Sequence, residues 1–211
     1  MTEIALATRI DDFFRDAVES AIKARQVEAS GSTTTYLVTL LEDQARPAVG
    51  ESKAGDKPYT LLLEDALETP DLGERFERLR LVGDEVLYRL GFFGDHFEAR
   101  GVDPEYLIRL GSRAYGAAGS LITGGSSRSL DSAAAEPSGI DVFGELAKKF
   151  GSFVGVLNEV ADLTVAAGAV TSRAVVKLYE RWLRTRSDSL ADALSSHGFV
   201  APSRGAKGVL Q

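Results

Sequence analysis

The sequence predicts an all-α protein, a single irregular bundle of about seven or eight helices. Apolar residues recur at three- and four-residue steps through most of the chain, and helix start and stop signals separate those stretches. With 211 residues, 44% of them apolar and 26% charged, the chain has enough material for one well-buried core. One helical domain is expected over residues 1–199, followed by a flexible tail over 200–211.

The first helix is expected over 10–29, "IDDFFRDAVESAIKARQVEA", where Phe14, Ala17, Val18, Ala21 and Ile22 share a face behind Asp11 and Asp12 as starting residues. The segment "TTTYLVTLLEDQARP" mixes strand-favouring threonines with Leu37, Leu40 and Leu41 at helical spacing, and is read as a helix that Pro47 ends. Residues 48–58 have loop composition, and a short helix, "YTLLLEDALE", follows.

A helix of about 20 residues is expected from near Asp71, with Leu72, Phe76, Leu79, Gly83, Val86 and Leu90 forming one seam. A glycine inside such a seam costs about 1 kcal/mol of helix propensity relative to alanine, and the usual compensation is close approach of another helix. Gly101, Asp103 and Pro104 then stop one helix and start the next, "PEYLIRLGSRAYGAAGSLI", whose face carries Leu107, Gly111, Ala114, Ala118 and Leu121. The two should form a tight antiparallel hairpin.

Residues 124–139 read as a mobile surface loop. One long helix is expected from Asp141, with Phe143, Leu146, Phe150, Phe153, Leu157 and Val160 on its seam; its roughly 25 residues would span about 37 Å. "SRAVVKLYERWLRTRS" and "DSLADALSSHGF" complete the bundle.

Charge and composition bound the function. There is no cysteine, so disulfides, thiolate metal sites and cysteine nucleophiles are excluded. Residues 1–172 carry a net charge of −11 and residues 173–211 a net of +4, within an overall −7. A general nucleic-acid binder is disfavoured by that acidic balance. The N-terminal segment lacks the basic and apolar pattern of a secretion signal, and no stretch reaches the roughly 20 apolar residues of a membrane span, so a cytoplasmic location with no transmembrane segment is expected.

No catalytic set is complete. Ser20 and Lys23 match a Ser-x-x-Lys pattern without its companion motifs, and "GSLITGGS" has phosphate-loop spacing with Gly125 where the lysine belongs. The two histidines, His96 and His197, stand outside any Glu-x-x-His motif; Asp95, His96 and Glu98 are the nearest approach to a metal set. No metal or cofactor is expected.

Two constellations remain. Arg80, Asp84 and Tyr88, spaced by four, stack beside the apolar seam, either as a ligand-orienting rim or as an intrahelical ion pair with a neighbouring phenol. Arg173, Lys177, Arg181 and Arg184 line one face of a basic helix whose Val175, Leu178, Tyr179 and Trp182 cover the adjoining core; they face an anionic partner, either protein, membrane surface or nucleic acid, or pair with the acidic remainder of the chain.

Gly83, Asp84, Leu87, Tyr88, Gly91, Phe92 and Phe93, followed by Asp103, Tyr106, Gly111, Ser112, Ala114 and Tyr115, resemble a family of bacterial helical proteins to which no activity is attached. The resemblance implies a bacterial origin and a specialised helix pair. "LGSRAYGAAGSLI" is similar to the glycine-rich distal helix of haem oxygenase-like proteins, which implies room for a planar ligand against the backbone. The iron-binding histidine of that group has no counterpart before His96.

The reading favoured by the sequence is a non-enzymatic cytoplasmic interaction or regulatory module acting through the basic C-terminal helix on a protein with an acidic surface; homo-oligomerisation stays open. The alternative is a small-molecule-binding protein or enzyme whose pocket lies between the helices around 72–93 and 104–122, with Arg80, Asp84, Tyr88, Gly111 and Tyr115 at the ligand.

Overall fold

The computed structural model describes residues 2–45, 57–126, 141–169 and 171–199. Among them every regular element is helical: α1 (Thr2–Ala24), α2 (Gly31–Ala45), α3 (Tyr59–Glu68), α4 (Leu72–Ala99), α5 (Pro104–Ser126), α6 (Val142–Lys148), α7 (Phe150–Ala167), α8 (Ser172–Thr185) and α9 (Asp188–Ser196). The chain divides into two compact units, Met1–Asn158 and Glu159–Gln211. The tail over 200–211 and the loop from 127 onward lie outside the described residues.

In the first unit, α4 and α5 form the expected hairpin, and α5 also packs on α6. Asp71 starts α4 by accepting a 2.7 Å hydrogen bond from the Glu74 N–H. The hairpin turns at Gly101, whose φ of +73° is the left-handed conformation that lets the Val102 N–H reach back 3.0 Å to the Phe97 carbonyl. Leu79, Val86 and Leu90 on α4 and Leu107, Ala114 and Ala118 on α5 are all buried, as are Leu37, Leu41, Phe150, Phe153 and Leu157.

Several local expectations need correction. Asp11 and Asp12 lie in the middle of α1, because the preceding Ala, Leu and Glu residues are themselves good helix formers. That helix also stops earlier than expected, with Gln26 in the left-handed region (φ 54°). Leu72 is 60% exposed, so the α4 seam begins a turn later than the periodicity implies. The helix runs on to Ala99 across a non-helical Phe93 (φ −131°, ψ 26°). Ser126 ends α5, so residues 124–126 belong to the helix and not to the loop.

The long helix expected from Asp141 is two. Lys149 separates α6 from α7 with φ −110° and ψ 21°, and its ammonium donates to the Glu28 carbonyl at 2.7 Å. That tether joins residues distant in sequence. Local periodicity carries no trace of it.

The threonines of α2 lose their strand preference by turning inward along the helix. Thr34, Thr35 and Thr39 hydroxyls donate to carbonyls four residues back at 3.0–3.1 Å, while the Ser30 hydroxyl caps the helix by accepting from the Thr33 N–H at 3.2 Å. Its N-terminus is tied to α6 by Glu145, which accepts 2.7 Å from the Thr33 hydroxyl and 3.2 Å from the Ser30 N–H.

By length and composition α7 is apolar enough to cross a membrane. Phe150, Phe153, Val156 and Leu157 of this helix, which belong to the first unit, are buried.

The second unit has its own core of Ala169, Val175, Leu178, Trp182, Leu190 and Leu194. Thr171 caps α8 by accepting from the Ala174 N–H at 3.2 Å. Arg186 closes it in the left-handed region, with its guanidinium 4.6 Å above the Trp182 ring.

Candidate functional site

Asp84 gathers partners from three helices. One carboxylate oxygen, Oδ1, accepts from the Tyr36 hydroxyl of α2 at 2.5 Å and from the Tyr115 hydroxyl of α5 at 2.7 Å; Oδ2 accepts from Arg80 Nη1 at 3.0 Å. The residue is 8% exposed, and burial holds its carboxyl above the ordinary range, against the opposing pull of Tyr36, Tyr115 and Arg80. Burial, with the Asp84 charge added, likewise pushes both phenols well above theirs. Arg80 divides itself between Asp84 and Glu77, to which Nη2 donates at 2.8 Å.

The spacing Arg80, Asp84, Tyr88 therefore contains an ion pair but not a three-residue ladder. Tyr88 turns to Phe92, with ring centroids 4.9 Å apart, and to Phe93 at 5.9 Å. Of the candidate site residues, Tyr115 supplies one phenol of the cluster; Tyr36 is one that sequence reasoning did not single out. Its signal was weak, since Tyr36 lies in the helix whose threonines obscured the period.

The glycines of the hairpin face filled space. A Cβ on Gly83 would stand 2.6 Å from ring carbons of Tyr115, and one on Gly111 would collide with the Phe150 ring. Gly91 is held in the same way against the Cβ of Leu157. These notches admit side chains of the chain itself, so the room expected for a ligand between the helices around 72–93 and 104–122 is occupied at Gly83 and Gly111. An open cleft of about 160 Å³ lies between α2 and α4, lined by Tyr36, Asp43, Gln44, Arg80, Asp84 and Glu85 among others. Both Asp84 oxygens are already engaged beneath it.

On α8 the four basic residues separate. Arg181 points inward and its Nε pairs with Asp162, a carboxylate only 4% exposed. Arg173 and Lys177 are exposed and make no ion pair with a described residue; Arg184 is exposed on the same row. Beside them, Val176, Tyr179 and Leu183, at helical steps of three and four, are 54%, 40% and 41% exposed. Tyr179 therefore does not cover the core, as its spacing suggested; Val175, Leu178 and Trp182 do. Phe199 stacks on Tyr179 with centroids 6.4 Å apart and is itself half exposed. The face is an apolar stripe bordered by a basic row in which Glu180 is the one acid.

Among the described residues no three His, Asp or Glu side chains gather to hold a metal ion; the side chains of Asp95 and Glu98 are not among those described. No protein-family model, curated protein or solved structure matches the chain.

Proposed function

We propose that this protein is a non-enzymatic interaction or regulatory module that docks an acidic, amphipathic segment of another protein on α8. The observation that supports it is the juxtaposition of Val176, Tyr179 and Leu183, exposed in a row, with Arg173 and Lys177 alongside, exposed and making no ion pair with a described residue. Exposed apolar side chains on successive turns of one helix favour association, because covering them removes apolar area from water. Exposed cations beside them select a partner of negative charge and set its register. Arg181 has a different task, neutralising Asp162 within the unit.

A photo-crosslinking residue placed at Leu183, with a second protein carrying it at Glu74 on α4 as control, tests the reading in extracts of the native cell. An acidic protein crosslinked from position 183, absent from position 74 and suppressed by raised salt, is expected. Equal crosslinking from both positions would contradict it.

A further inference from the structure

A second place where apolar side chains lie beside arginines is in the first unit. Between α3 and α5 is an open cleft of about 200 Å³ lined by Thr60, Leu63, Tyr106, Arg109, Leu110 and Arg113. Its floor is apolar: Leu63 and Leu110 are both buried. Tyr106, Arg109 and Arg113 follow at steps of three and four, which sets them on one side of α5. Both arginines are exposed, and neither makes a hydrogen bond or ion pair with a described residue, in a stretch of chain whose net charge is strongly negative.

We infer that this cleft binds a small amphiphilic monocarboxylate, with the hydrocarbon body on Leu63, Leu110 and the Tyr106 ring and the carboxylate at Arg109 and Arg113. An apolar cavity of about 150 Å³ takes up a six-carbon ring, so this volume suits a body of about six to eight carbons. Guanidinium groups present paired N–H donors that match the two oxygens of a carboxylate. Neither half of the site suffices alone. A dicarboxylate would leave the apolar floor wet, and an alkanol would leave the arginines without a counter-charge.

The test is a two-dimensional amide NMR titration of the full chain with octanoate, 1-octanol and glutarate as probes. Octanoate should give saturable shifts at Leu63, Tyr106 and Leu110, and the other two should bind at least about tenfold more weakly. Arg109→Gln with Arg113→Gln should weaken octanoate at least about tenfold, and an unchanged melting temperature would show the loss to be local. The inference is overturned if octanoate gives no saturable shift there at millimolar concentration, or if octanol binds as well and the double variant changes nothing. Binding of an acidic leucine-containing peptide without octanoate would also overturn it, by making the cleft a peptide site. None of these outcomes touches the α8 face.

Discussion

The ring of Tyr115 fills the space beside Gly83, and the hydroxyl of the same tyrosine donates 2.7 Å to Asp84, the next residue on α4. One side chain thus reads two consecutive positions of the neighbouring helix, one by contact and one by hydrogen bonding. Gly83→Ala forces the Tyr115 ring away from both, since a Cβ would lie 2.6 Å from it. The expected cost is roughly 1–3 kcal/mol, the usual range for overpacking, with a larger loss for Gly83→Leu. Thermal denaturation checks this; an unchanged melting temperature would show the ring to be free to move.

Removing the Asp84 carboxylate is expected to cost more than changing its charge. Asp84→Ala strands the buried Tyr115 hydroxyl and breaks the Arg80 pair, a change in the range of about 3–5 kcal/mol for a broken buried partnership. Asp84→Asn keeps an oxygen for the tyrosines and should lose less. Denaturant unfolding of the two variants orders them, and equal losses would mean that the charge alone matters.

Acid should act on Glu145, not on Asp84. Burial tends to raise the Glu145 carboxyl, but hydrogen bonds from Thr33, Ser30 and Lys149 outweigh it and bring the value to about 2, below the ordinary carboxylate. A depressed carboxyl gives stability that is complete above its unfolded value, near 4.3, and that is lost as pH falls through about 2. For Asp84, raised instead, the sign reverses: protonation in the fold is favoured, and stability from this group grows as pH falls through the window above 3.8. Glu145→Gln should therefore flatten the loss of stability between pH 5 and pH 2 while lowering stability at pH 7 by about 1–3 kcal/mol. A pH series of urea melts reads both effects, and an unaltered slope would contradict the assignment.

What the sequence made legible follows from how local each cause is. The seams of α4, α5 and α7 were readable because a helix face repeats every three or four residues, and Leu79, Val86, Leu107, Phe153 and Leu157 are buried accordingly. Gly101 and Pro104 were readable because they act on their own backbone. The interruption at Lys149 was not, because the ammonium that marks it bonds to Glu28, more than a hundred residues away in the chain. For the same reason periodicity could suggest that Arg80 pairs with Asp84 but not that Tyr36 and Tyr115 complete the group. On α8 the spacing defined the basic row, while the inward turn of Arg181 depended on Asp162, which lies on another helix.

That separation gives a prediction of its own. Arg181→Glu places two carboxylates together in a nearly buried position and should cost at least about 3–5 kcal/mol. Arg173→Glu with Lys177→Glu alters two exposed side chains and should change stability by no more than about 1 kcal/mol each. Melting temperatures of the two proteins decide the matter; similar values would mean that Arg181 is not held inside.

The most direct test of the proposed function compares affinity capture from native extract by the wild-type chain, by Arg173→Glu with Lys177→Glu, and by Val176→Ser with Leu183→Ser. The prediction is that one acidic partner is retained by the wild type and lost from both variants, at melting temperatures close to the wild-type value, because charge and apolar stripe form one face. Retention of the same partner by both folded variants would contradict the docking role of α8.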